Sequence, residues 1–234
     1  MKIFSMLLVG ILITLSVKVY ADPPLPTPIG RVVWIKGNSF KAIMPNKEER
    51  LLQKQSVINL HDLLITDGDT SAEVVFTDNT LMTFQPETKF SIDDYAYPVK
   101  KKSSVGKFFM NLIEGGFRTI TGLIAKNNPI DYKIQTPVAT IGVRGTDYAV
   151  YIKDGQLFVA YYAGAPCVTA NKNPAVVCLG KDAQYARVTN ADSTPEILVD
   201  RPDGFNPQLD ITNAKIGLFS QPGTGGPITS FCIQ

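Results

Sequence analysis

His61 is the first residue to weigh for chemistry, because most nucleophile–base arrangements need an imidazole and the chain has no other. It precedes Asp62 in a run of leucines and isoleucines, a setting that fits a structural histidine better than a general base. No GxSxG elbow, HExxH pair, phosphate loop or dinucleotide fingerprint occurs. Asp93 and Asp94 are adjacent carboxylates, but neighbours in a strand point to opposite faces and would not share a substrate. Asp67-Gly68-Asp69 is too short a run of oxygen ligands for a calcium loop. A single histidine with no CxxC pair argues against zinc. These residues predict a protein that is not an enzyme, with no cofactor and no metal site.

Cysteine offers a different chemistry. Cys167 and Cys178 enclose VTANKNPAVV, a short loop with an Asn-Pro turn, and predict a local disulfide pinning a hairpin tip. By loop-closure entropy such a bridge contributes about 2–3 kcal/mol. Cys232 is left as the odd cysteine.

The stretch TPVATIGVRGTDYAVYI, residues 136–152, holds glycines, an arginine and an aspartate among β-branched and aromatic residues. An anion-binding turn there would need a following helix or a nest of amides. A β-rich run follows instead. Ile134 and Val138 share one parity, Ile141 and Val143 the other, and Val150 and Ile152 return to the first. Period-2 alternation then predicts a strand that changes face through a bulge or bend at each crossing, with Gly142 and Gly145 at the second. Arg144 is expected to be a partly buried guanidinium tied to backbone carbonyls or to Asp147.

The elements around these residues read as strands. GRVVWI and FKAI flank Gly37-Asn38, AEVVF and LMTFQ flank Asp78-Asn79, and YAVYI and LFVAYYA flank Asp154-Gly155. Each pair has hairpin chemistry at its centre. Asp67-Gly68 makes a tight turn after LLIT, and PETKFSIDDYAY resumes alternation with Phe90, Ile92 and Tyr95 on its covered face. From Ser104 to Lys126 a strand is expected through the middle, then one helical turn around 119–125; Gly115-Gly116 breaks any longer helix.

The N-terminal residues MKIFSMLLVGILITLSVKVYA have a basic start, an apolar run and small residues before Asp22. They predict a signal peptide over 1–21 cleaved after Ala21, a periplasmic or secreted product, and no stable membrane insertion afterwards. An uncleaved anchor is the alternative. A proline-rich linker follows at 22–28, a β domain at 29–198 and an irregular tail at 199–234. Removing Lys2 and Lys18 from 23 basic residues leaves 21, equal to the 21 acidic ones. That balance argues against nucleic acid as a partner, and the KKK run at 100–102 reads as a solvated loop.

IQTPVATIGVRGTDYAV resembles the signature of the FecR domain, a family of exported bacterial β-domains. HDLLITDGDTSAEVVFTDNTLMTFQPETKFSI and GGFRTITGLIAKNNPIDYKIQTP are similar to the passages that precede that signature, so the resemblance covers roughly 57–162. Its structural residues here are Thr136, Pro137, Gly142, Arg144, Gly145 and Thr146. The resemblance implies an all-β fold, a β-solenoid-like or rolled sheet, in the periplasm. It brings no catalytic residues. In the regulators that name the family, the domain follows an anti-sigma segment and a membrane helix. Only Met1 precedes Lys2 here, so the anti-sigma role is not expected. The expected function is an exported recognition or scaffolding module for an envelope protein or cell-wall glycan. The alternative is a membrane-anchored sensor component of iron-uptake-type signalling. Oligomeric state is left open.

Overall fold

The computed structural model describes residues 27–97 and 106–205. The expectations for the signal peptide, the KKK run, the tail beyond 205 and Cys232 fall outside these residues. Among them, seventeen strands run from Pro28 to Leu198. In the N-terminal half these are β1 Pro28–Lys36, β2 Phe40–Ile43, β3 Glu49–Leu51, β4 Val57–Asn59, β5 Leu63–Thr66, β6 Ser71–Phe76, β7 Leu81–Phe84 and β8 Thr88–Ala96. The long β9, Lys107–Ile120, leads to the helix α1, Leu123–Asn127, and a 3-10 turn at Pro129–Asp131. Then come β10 Tyr132–Gln135, β11 Ala139–Gly142, β12 Asp147–Lys153, β13 Gln156–Ala163 and β14 Cys167–Ala170. Last are β15 Val176–Cys178, β16 Tyr185–Val188 and β17 Glu196–Leu198.

Pairing sorts these strands into two ladders that share one member. Sheet A runs β4-β1-β6-β7-β9-β12-β13-β16-β17. Sheet B runs β3-β2-β5-β8-β9-β10-β11-β14-β15. Only β9 with β10 is parallel. The first half of β9 belongs to sheet B and the second half, from Gly115, to sheet A.

The exchange happens at Gly115-Gly116. Gly115 has φ +73, and a Cβ there would lie 2.4 Å from the Glu87 carbonyl oxygen. A Cβ on Gly116 would lie 2.5 Å from the Val150 carbonyl oxygen. Only glycine allows that backbone contact. The corner's polar groups are met by two buried threonines. Thr88 Oγ1 accepts the Gly116 N–H at 3.0 Å and lies 2.9 Å from the carbonyl oxygens of Gln85 and Gly116. Thr66 Oγ1 donates to the Gln85 carbonyl at 2.6 Å and accepts the Thr88 N–H at 3.0 Å.

The inner faces of the two sheets meet in one apolar core. Phe40 and Phe90 from sheet B interleave with Phe84 and Phe117 from sheet A, at centroid distances of 5.1–6.3 Å. Phe76 of sheet A packs against Tyr95 and Phe108 of sheet B. Tilted and edge-on pairs of this kind each add about 0.5–1.5 kcal/mol beyond area burial. Phe90, Ile92 and Tyr95 are buried as expected, and a bulge between Ile92 and Asp94 explains their change of parity.

Two of the three expected hairpins form: β6 pairs β7 around Asn79, and β12 pairs β13 around Asp154-Gly155. All three turn residues have positive φ. The third does not. β1 and β2 lie in different sheets, so Gly37 turns a corner between them rather than reversing one strand on the next. Its φ is +93, and a Cβ would lie 2.5 Å from Thr70 Oγ1, which accepts the Ser39 N–H. The 104–126 segment has the expected strand and short helix, but the strand is 14 residues long and the helix starts at Leu123.

Candidate recognition surface

Residues 132–152 are three strands rather than one bending strand. β10 returns as β11 through a turn at Pro137-Val138, setting Ile134 opposite Ile141 in sheet B. The chain then crosses to sheet A and becomes β12. The first parity change is thus a hairpin turn, where a continuous strand was expected, and the second is a corner between sheets, a bend at Gly145. Thr136 closes the hairpin: its N–H and hydroxyl both donate to the Ala139 carbonyl, and its Oγ1 accepts the Ala139 N–H at 3.0 Å. At the corner, Thr146 and Thr121 exchange bonds, N–H to Oγ1 at 2.8 Å and N–H to carbonyl at 2.9 Å. Gly145 has φ +57, whereas Gly142 has no positive φ and open space around it.

Arg144 is exposed and does not hold Asp147. Arg118, on the outer face of β9, takes that role instead: its Nε and a terminal nitrogen donate to the two Asp147 oxygens at 2.9 and 2.8 Å. The guanidinium lies 4.1 Å from the centre of the Tyr162 ring. A bidentate pair stacked on an aromatic face is the strong form of this contact. Sequence reasoning picked the arginine next to Asp147 in the chain; the registers Arg118↔Ala149 and Asp147↔Ala163 bring the other one closer.

The remaining candidates separate. His61 is an exposed turn residue with φ +68. Asp93 accepts the Ser91 hydroxyl, while Asp94 pairs with Lys107, so the two carboxylates do not form one site. Cys167 and Cys178 are bonded as expected. They face each other at the first residue of β14 and the last of β15, so the bridge ties the base of that hairpin and not its tip. Inside the core, the hydroxyls of Thr119, Tyr132 and Tyr148 come near one another, but none reaches hydrogen-bonding geometry. Burial pushes both tyrosines well above their ordinary range. Asp78, fully buried, receives the Thr80 N–H and hydroxyl and the Ile124 N–H, which fixes the start of α1; burial raises its pKa despite these donors.

The outer face of sheet B carries a feature that sequence reasoning missed. At one register level the side chains read Ser91, Asn111, Gln135, Thr140 and Thr169 across β8, β9, β10, β11 and β14. None is charged. Asn111, Gln135 and Thr169 make no side-chain hydrogen bond to another described residue. Charges flank the row as pairs, Lys89 with Glu114 on one side and Lys107 with Asp94 on the other. Phe109 lies two residues from Asn111 on the same face, half-buried, with Lys133 Nζ 5.8 Å from its ring centre. Only the strand register could have revealed this row, because its members are scattered over 79 positions.

The model of the FecR protein family matches residues 62–165. This span is a FecR domain. It supplies β5 through β13, which are the central five strands of each sheet once β9 is counted in both. The strands outside it add two to each end of each sheet: β1–β4 on one side of the FecR domain and β14–β17 on the other. Two crystal structures of a candidate anti-sigma factor from Parabacteroides distasonis ATCC 8503 are similar at 18% and 19% identity, with TM-scores of 0.43 and 0.42. Each match covers 61% of this chain, and the chain spans 60% of the length of those structures. No curated protein matches the chain.

Thr136, Pro137, Gly145 and Thr146 of the FecR domain all serve turns and corners. Asn171, just outside it, donates its side-chain amide to the carbonyl oxygens of Thr136 and Pro137. Among the described residues no group of three or more His, Cys, Asp or Glu could hold a metal ion, and no helix is long and apolar enough to cross a membrane.

Proposed function

We propose that this protein is a non-enzymatic recognition module of the bacterial envelope, exported by cleavage after Ala21. The supporting observation is how the signature is used. Thr136 and Thr146 are tied by hydrogen bonds within the fold, and Arg144 is exposed with no partner among the described residues. The FecR domain's characteristic residues therefore build a platform, and recognition falls to the sheet surfaces. In this reading the chain rolls between its two sheets in a solenoid-like manner, and its partner is an envelope protein or cell-wall glycan.

The test is a pull-down from solubilised envelope fractions with the mature protein. Retention of a defined protein or glycan supports the module; no retained partner at any salt concentration counts against it.

The apolar run from Ile3 to Val17 favours a second reading, a membrane-anchored sensor component of transmembrane signalling. Sequencing the mature N-terminus separates the two. A start at Asp22 removes the anchor, and an intact Met1 in the membrane fraction retains it.

A further inference from the structure

The uncharged row on sheet B is unusual for a solvated strand face, where lysine and glutamate are the ordinary occupants. Here five consecutive strands present only hydroxyls and carboxamides at one level, and three of the five make no side-chain hydrogen bond to another described residue. The neighbouring charges balance in number: Lys89 pairs with Glu114 and Lys107 with Asp94, while Asp93 accepts the Ser91 hydroxyl and Lys133 stands near Phe109. A strongly acidic or basic partner would find no patch of one sign there. An apolar helix would leave the carboxamides unpaired, at a cost of about 1–3 kcal/mol for each one buried.

We propose that this row binds an uncharged glycan chain laid across the strands. Sugar hydroxyl and acetamido groups both donate and accept, as do Ser91, Asn111, Gln135, Thr140 and Thr169. The C–H face of a pyranose needs a flat apolar support, and Phe109 provides one beside Asn111. Strand spacing of roughly 4.8 Å makes the five-strand row about 19 Å long, so the ligand is an oligomer rather than a single sugar. Each contact is weak, and linkage along the chain makes them additive in effect. This inference rests on the recognition-module reading and narrows its partner to one class.

The experiment titrates the mature protein with β-1,4-linked N-acetylglucosamine dimer and hexamer by calorimetry, and sediments it with purified peptidoglycan sacculi. The hexamer is expected to bind at least about tenfold more tightly than the dimer, as a linked multi-site ligand does. Gln135→Lys combined with Thr169→Lys places two charges in the row, at positions with no side-chain hydrogen bond to another described residue, and is expected to abolish binding without changing the melting temperature. Thr140→Ser keeps the hydroxyl and is expected to retain it. If the double variant does not fold, Asn111→Ala is read in its place, with an expected loss of severalfold. Sedimentation with sacculi but not with the soluble hexamer assigns the ligand to the wall glycan; binding of both assigns the shared sugar chemistry. No binding to either, or binding that the folded row variants leave unchanged, overturns the proposal. Retention of an envelope protein with no glycan binding overturns it while leaving the recognition module standing.

Discussion

Asn171 reaches from the β14–β15 loop to donate both hydrogens of its carboxamide, one to the Thr136 carbonyl at 3.0 Å and one to the Pro137 carbonyl at 3.2 Å. Its own N–H donates to Val138 at 2.9 Å, and its Oδ1 accepts the Thr140 hydroxyl at 3.3 Å. One side chain thus holds the β10–β11 turn closed from outside. Asn171→Ala is expected to cost about 1–2 kcal/mol, the scale of two lost bonds at a partly exposed site. Asn171→Asp, which keeps the shape but loses the donors, should cost at least as much. Thermal melts of both variants check this; a melting temperature unchanged by either would show that the turn closes without the clamp.

Gly115 is the least replaceable residue of the β9 corner. Gly115→Ala combines a left-handed backbone with a Cβ driven toward Glu87 and Thr88, and is expected to destabilise by about 3 kcal/mol or more. Gly142→Ala, at an open site with ordinary backbone, should cost less than about 1 kcal/mol. Urea denaturation of the pair measures the contrast, and equal costs would remove the steric account of the corner.

Glu73 is 1% exposed, and one of its carboxylate oxygens has no hydrogen-bond partner. Burial raises its pKa, with only the Thr83 hydroxyl opposing, so the folded state holds this proton more tightly than the unfolded chain does. Its contribution to stability is therefore full below the unfolded value near 4.5 and is lost as pH rises through the higher folded value. Glu73→Gln is expected to stabilise at pH 7 by on the order of 1 kcal/mol and to remove that part of the pH dependence. Melting curves from pH 4 to 8 for both proteins test it. A parallel pair of curves would place the origin of the pH dependence elsewhere.

The disulfide closes an 11-residue separation at the base of the β14–β15 hairpin. Replacing both cysteines by alanine is expected to cost about 2–3 kcal/mol by the loop-entropy argument. β15 pairs with β14 alone, so the loss should show first as faster amide exchange at Val176 and Val177. Uniform acceleration across the molecule would mean the bridge supports the whole fold instead.

Hairpins at Asn79 and Asp154-Gly155 were legible in the sequence because a short turn needs particular backbone angles, and residue type reports those angles. Gly37 has the same signal and a different outcome. Turn chemistry fixes that the chain changes direction, while the sheet that receives it is decided by partners such as Thr70, distant in the sequence. Alternation correctly buried Phe90 and Ile92. It could not tell a bulge from a turn between Ile134 and Ile141, because both reset parity. Arg118 and the Ser91–Thr169 row were hidden for the same reason: they are assembled by register, a property no local window contains.

Membership of β9 in both sheets has a kinetic consequence. β9 pairs with β7, β8, β10 and β12, so neither sheet can complete its centre before this one strand is placed. The sheets cannot open as separate units, and the molecule should unfold in a single step. Its many contacts between distant segments also place it among slow folders, with chain collapse preceding a late, rate-setting capture of that strand.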